Sequence, residues 1–376
     1  MTSLLAALLL APTAHAAGYY TSDVGVRAYS RGGAYVAGAN DMLALWYNPA
    51  ALTRLNDGVL TVNAAGVGQS VRFDRADVPG NDLGQFGPIE NAAPAYVIPH
   101  FGAASGFGLE NTTFAIGFYP PYAPDFAYPA DGPQRYTLID TLVIQTFSGL
   151  SVAHEFADWV SVGAGVSWNL LIVEQELAVN MVGSTVAEDP DFLEDPDFDV
   201  RFGMDGRDPF AIGWNIGVLV EPPSQRWAIG AMVQAPTQFT ATGELKADFR
   251  DHIWSGSIIQ DETAADKAVD FDVRMPLILK GGVLVRPVDG WEVELATVYE
   301  GWSSIEQIVL TQVDLQVETS AGTAAITDDI VLPAGYQDTV SIRLGTEWDA
   351  LDKLTLRAGG MWESTALPTE NQGVGL

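Results

Sequence analysis

The chain has 376 residues, no cysteine, and 48 acidic against 18 basic side chains, a formal net charge of −30. That balance excludes nucleic acid as a partner, because phosphates need Lys and Arg. The missing cysteine excludes a disulfide framework, a thiolate metal site and a cysteine nucleophile. With 48% hydrophobic and 10% aromatic residues, the chain is also too apolar for disorder, so acidic and apolar stretches must be segregated.

Residues 1–16, MTSLLAALLLAPTAHA, read as a secretory signal. Leu4 to Ala11 is a short apolar core and Ala14-His15-Ala16 a small-x-small cleavage pattern, which starts the mature chain at Ala17; no Lys or Arg precedes the core. No later stretch approaches the ~18 consecutive apolar residues of a spanning helix. Two classes then remain, a soluble β-protein and an outer-membrane barrel.

Residues 17–55 are irregular and rich in small residues. Gly25, Gly32, Gly33 and Gly38 break regular structure. Asn48-Pro49 is a turn signal, and Pro49 could equally open a short helix at Ala50 and Ala51. The segment is too poor in large apolar side chains to form its own core. It is expected to pack inside something else, as a plug.

After it comes alternation. In Val160–Ile172 every even residue is apolar, while the odd ones are small or polar apart from Leu171. The run exceeds the ~9–11 residues that a tilted transmembrane strand needs. The same period recurs at Ile212–Val220, Trp227–Gln234, Trp291–Glu300, Val340–Trp348 and Leu354–Gly359. Weaker candidates are Leu60–Phe73, Pro94–Phe101, Thr113–Tyr119, Tyr136–Phe156 and Met275–Arg286, which makes about eleven strands. Trp168, Trp227, Trp291, Tyr299, Trp348 and Trp362 lie near strand ends, as interfacial girdles do. Glu292, Glu294, Arg343, Glu347 and Arg357 fall on the opposite, lumenal face. The expected fold is therefore all-β, a transmembrane antiparallel barrel rather than a soluble sandwich.

Tight turns, such as Glu221-Pro222-Pro223-Ser224 and Pro287-Val288-Asp289-Gly290, alternate with long acidic connections at Asp74–Asn91, Pro120–Arg135, Gly183–Asp208, Asp248–Asp270 and Gln316–Gln337. That is the asymmetry of outer-membrane barrels, with the long loops outside. The acidic run Glu188–Asp199 repeats Asp-Pro-Asp-Phe. Calcium is one reading of so many carboxylates, but the spacing matches no EF-hand loop; a solvated loop is the better reading and no metal site is assigned.

Three features together resemble the N-terminal hatch of the FadL-type outer-membrane transporters for long-chain fatty acids and other hydrophobic compounds. They are Arg27-Ala28-Tyr29-Ser30, the small-residue stretch through Asp41, and Trp46-Tyr47-Asn48-Pro49-Ala50-Ala51-Leu52. Arg274-Met275-Pro276, Asp338-Thr339 with Arg343-Leu344-Gly345, and Leu356-Arg357-Ala358-Gly359 extend the resemblance along the mature chain. It implies a fourteen-stranded barrel with the hatch, residues 17–55, inside residues 56–376. About eleven strands and a loop-like tail at Asn371–Leu376 lead us to expect a barrel truncated at its C-terminus. It also implies a monomer in the bacterial outer membrane, in contact with its lipid, that takes up hydrophobic small molecules passively and needs no cofactor.

Plug and gating residues are then expected at Arg27, Tyr29, Asn48, Pro49 and Ala50, with Arg27 better read as a tie to inward carboxylates. Ligand contacts are expected from Tyr119, Tyr122, Phe126 and Tyr128 on a proline-stiffened loop, and from Arg135 if the ligand is a carboxylate. Long-chain fatty acids lead as substrate; aromatic hydrocarbons are the alternative, and a purely structural or adhesive barrel is a further one. No G-x-S-x-G elbow or His-Glu metal motif appears, so no catalytic residue is assigned.

Overall fold

A computed structural model describes residues 23–75, 87–180, 195–248, 258–259, 267–311, 315–319, 322–326, 329–333 and 335–367. The signal segment, the first Asp-Pro-Asp-Phe repeat and the tail at 371–376 lie outside the described residues.

The main strands are β1 Val59–Val67, β2 Tyr96–Ser105, β3 Thr112–Tyr122, β4 Asp140–Ala157, β5 Val160–Asn180 and β6 Asp199–Val220. They continue as β7 Trp227–Gln234, β8 Thr237–Asp248, β9 Lys267–Met275, β10 Ile278–Val288, β11 Trp291–Glu300, β12 Gln307–Thr311, β13 Ile330–Pro333, β14 Thr339–Leu351 and β15 Leu354–Glu363. β7 and β8 are one wall strand interrupted at Ala235-Pro236, since both pair with β6. β9–β10, β11–β12 and β13–β14 are interrupted pairs of the same kind. Counted so, the described residues form a wall of eleven strands, against about eleven expected, each antiparallel to its chain neighbour.

The burial pattern is inverted relative to a soluble protein. On β5, Ser161, Gly163, Gly165, Ser167 and Asn169 are buried, whereas Val166 is 56% and Trp168 51% exposed. On β14, Ser341 and Arg343 are buried and Ile342 and Leu344 exposed. A sandwich would bury the large apolar face. A barrel in lipid turns it outward, and that is the fold here. Exposed Trp227, Trp291 and Trp348 mark the wall near the short turns, and Trp168, Phe210 and Trp214 mark it farther up.

Two of the expected loops are partly strand. β3 runs through Pro120 and Pro121 to Tyr122, and β6 already begins at Asp199. Above the upper aromatics the ladder continues, for instance Glu174 opposite Asp205. No lipid faces the strand there, so its outward residues need not be apolar and the alternation fades while the strand persists.

Inside the sheet lies the N-terminal segment: helix α1 Val26–Ser30, helix α2 Ala44–Tyr47 and a 3-10 turn Pro49–Leu55. Pro49 does open that turn, and the Asn48 side chain caps it by accepting from the Ala50 N–H at 3.1 Å. Trp46, Tyr35, Tyr47 and Leu52 are fully buried only because the wall covers them.

Candidate functional site

The segment is fastened by polar side chains of the inner wall. The Glu294 carboxylate, on β11, accepts from the backbone N–H groups of Val36 and Ala37, both at 2.7 Å, and of Gly38 at 3.0 Å. Its second oxygen also takes Arg31 at 3.1 Å, and Arg31 pairs with Glu292 as well. Three consecutive N–H groups around one carboxylate form an anion nest, satisfied here by the wall itself. Asn48 donates to the Val36 carbonyl at 3.2 Å and to Val218 of β6 at 3.1 Å. Asn215 donates to the Leu45 carbonyl at 2.8 Å. Lys280 of β10 donates to the Trp46 carbonyl at 3.2 Å and lies 4.3 Å from the Trp46 ring and 4.9 Å from that of Tyr47.

Of the expected plug residues, Asn48, Pro49 and Ala50 sit at this contact. Arg27 is the tie to a carboxylate that its sequence context suggests: its Nε meets Glu347 at 2.8 Å, and Glu347 also takes Arg357. Tyr29 is 46% exposed, and partial burial, with the Asp23 carboxylate nearby, pushes its hydroxyl up to about 12. Arg31, Asn215, Lys280 and Glu294 were not singled out from the sequence as site residues. Glu294 was visible as an inward charge, but its partners lie some 250 residues away.

Above α2 the lumen is aromatic. The Trp46 ring meets Tyr119 edge-on at 5.3 Å and Phe147 at 5.9 Å, and Tyr119 stacks on Phe147 at 4.8 Å. Tyr122 meets Trp302 at 6.5 Å, and Trp302 lies 5.8 Å from Tyr336. Tyr119 and Tyr122 are therefore buried wall residues of β3, not loop residues. Phe126 and Tyr128 belong to a separate cluster with Leu138, Phe73 and Ile89. The expected single aromatic loop is thus divided, because Pro120 and Pro121 bulge the strand without ending it.

Arg135 is buried, and its Nε meets Asp199 at 2.6 Å. The same guanidinium donates to the Tyr136 hydroxyl at 2.6 Å, which donates to Asp199 at 2.8 Å. Burial and that bond to Asp199 push the Tyr136 hydroxyl up. The last acid of the acidic run is thus a side-chain partner, and an incoming carboxylate would have to displace it from Arg135.

The wall parts beside Tyr119. The β2–β3 ladder runs from Ser105–Phe114 to Phe101–Phe118 and stops. Beyond it β3 keeps β4 as its partner, bulging between Tyr119 and Tyr122. Pro120 and Pro121 lack the N–H that a ladder needs. The two strands meet again where the Tyr96 hydroxyl donates to the Ala123 carbonyl.

An antiparallel wall with its apolar face outward, a polar-stitched segment within and a parted seam beside an aromatic lumen defines a plugged outer-membrane barrel. Residues 7–375 match the family described as outer membrane protein transport protein (OMPP1/FadL/TodX). The chain belongs to that family, and its place is the bacterial outer membrane.

The Neisseria meningitidis serogroup B protein NMB0088 is 30% identical over 140 residues. That stretch is 36% of this chain and 29% of that protein, so the match spans less than a third of the relative. Among solved structures, a Pseudomonas aeruginosa FadL homologue superposes with TM-score 0.72 at 15% identity, over 95% of this chain and 84% of that one. The Ralstonia pickettii toluene transporter TbuX gives 0.64 at 17% identity, over 91% and 87%. The Pseudomonas putida toluene transporter TodX gives 0.59 at 18%, over 95% and 86%. At these identities the likeness concerns the fold.

Proposed function

We propose that the protein takes up small uncharged hydrophobic compounds passively, aromatic hydrocarbons foremost, with residues 23–55 as the movable hatch. The observation that carries this is the Trp46–Tyr119–Phe147 cluster, together with the prior commitment of Lys280 beside it and of Arg135 farther up the wall, against Ala178. Lys280 is spent on the Trp46 carbonyl and two ring faces, and Arg135 on Asp199. Aromatic rings bind aromatic ligands through area and quadrupole, and need no charge. A compound gathers at the outer Phe126–Tyr128 cluster, enters along Tyr122 and Tyr119, and leaves sideways into the membrane where β2 and β3 part. This lateral step spares it the aqueous phase in which it is poorly soluble.

The leading expectation from the sequence, long-chain fatty acids, differs in requiring a cation for the carboxylate. Toluene and oleate, titrated separately into the detergent-folded protein with tryptophan emission as readout, separate the readings. Saturable toluene binding that survives Arg135→Gln is expected. Oleate binding lost on Arg135→Gln would return the assignment to fatty acids. Binding of neither ligand by folded protein would leave the structural barrel as the better reading.

A further inference from the structure

The wall parts in a second place. The β6–β7 ladder ends at Asn215–Gln234, and pairing resumes between β6 and β8 at Arg207–Thr242. One further backbone bond crosses there, from the Ala235 N–H to the Trp214 carbonyl at 3.0 Å; residues 208–213 and 236–241 have no ladder partner across the seam. Each edge stays attached on its far side: Ala211–Trp214 to β5, Thr237–Ala241 to β9. The split therefore lies between two intact parts of the wall.

The slot is built rather than frayed. Pro209 and Pro236 have no N–H to leave unpaired. The Asp208 carboxylate accepts from Phe210 N–H at 2.8 Å and from Thr240 N–H across the seam at 2.9 Å. Trp168 Nε1 donates to the Pro209 carbonyl at 2.7 Å, and Asn169 to that of Ala211 at 3.2 Å. Side chains so replace strand pairing, which is what lipid demands of any break in a barrel wall.

Its place relates it to the first seam. Cross-strand partners run from Tyr119 to Phe147, from Phe147 to Asn169 and from Asn169 to Ala211, so one unbroken row of paired residues leads from the first slot to the second. Helix α2 touches both. Its Trp46 packs on Tyr119 beside the first, and its Leu45 carbonyl is held by Asn215, the last rung before the second. Outside the second slot stand Phe210, Ile212 and Trp214, all exposed to lipid, and on its inner edge stands the fully buried Phe239.

We propose that this slot is a second lateral port, through which an uncharged apolar compound passes between lumen and membrane, with Phe239 as its inner gate. The proposal rests on the uptake reading above. The chain has no cysteine of its own, which allows the slot to be locked cleanly. A Cβ built on Gly213 lies 3.1 Å from the Thr237 hydroxyl, within reach of a disulfide once the Ser167 hydroxyl, 2.6 Å from that Cβ, rotates aside. The experiment is uptake of radiolabelled toluene by cells carrying Gly213→Cys/Thr237→Cys, oxidised and then reduced. Oxidation should remove about half of the initial rate, the share of one of two ports, and reduction should restore it; an equal rate in both states would overturn the proposal. No uptake by the unmodified protein would instead sink the uptake reading. Should the double variant fail to fold, photolabelling of the unmodified protein with a diazirine-bearing alkylbenzene decides. Label on Phe239 that toluene competes away supports the port. Label confined to outward-facing residues refutes it.

Discussion

Glu294 and Asp41 show, at the scale of single residues, what holds the hatch and what loosens it. Glu294 is compensated: Arg31 and three N–H groups surround it. Glu294→Gln keeps the volume, removes the charge and turns an NH2 group toward at least one donor. Loss of one partner of a buried, hydrogen-bonded pair costs about 3–5 kcal/mol. The variant should unfold at lower urea and expose residues 31–55 to protease; an unchanged midpoint would show that the nest does not hold the hatch. Asp41 is poorly compensated. Burial, only partly offset by the Leu43 N–H at 2.9 Å, raises its carboxyl above the ordinary value. A raised carboxyl means that the folded state holds its proton at a pH where the unfolded chain has lost it. Stability therefore falls as pH rises from the unfolded value, near 3.9, to the folded one, and stays lower above. Asp41→Asn, which can still accept from Leu43, should be the more stable protein at neutral pH and equal to the original below pH 3 or so. Urea midpoints across that range would check both the sign and the window.

Among the elements, the wall is shaped to the hatch where strands carry glycine. A Cβ on Gly163 would lie 2.3 Å from the Pro49 carbonyl carbon, and one on Gly217 would lie 2.1 Å from Asn48 Oδ1. The Asn-Pro-Ala turn can reach the wall only because those two positions have no side chain. Gly163→Leu should leave strand β5 intact yet push the turn away. Protease should then cleave the hatch in folded protein, and single-channel conductance should rise; a silent hatch would argue against this contact as its seat. The membrane strands were legible because lipid forces alternation, as Val160–Ile172 shows. Their extensions were not, because above the upper aromatics only the hydrogen-bond ladder enforces the strand. Prolines misled in the same way. Pro120 and Pro121 read as loop, although here they mark a seam in a continuing wall strand. The hatch itself was legible as a segment lacking a core of its own. Its bonding was not, because ion pairs such as Arg31–Glu294 join residues far apart in sequence.

For the whole molecule, the decisive property is which way the barrel is turned. Along its membrane-level strands, such as β5 and β14, the alternate large apolar side chains face outward. Ile342 is 52% exposed on β14, well away from its short-turn end, on the apolar face between Val340 and Leu344. If that face meets lipid, Ile342→Arg places a charge near the bilayer middle, at a cost of about 2–4 kcal/mol. Leu351, 68% exposed at the short-turn end of the same strand, lies at the interface, where Leu351→Arg should cost about 0–1 kcal/mol. A water-facing sheet predicts the reverse emphasis, since an exposed isoleucine replaced by arginine in water is nearly neutral or favourable. The two variants, folded into vesicles and unfolded with urea, distinguish these outcomes by depth dependence alone. A large loss at 342 beside a small one at 351 follows from the inverted burial described above. Equal small losses would mean that the outer face of β14 does not contact hydrocarbon, and would remove the premise of both lateral seams, since neither would then open into lipid.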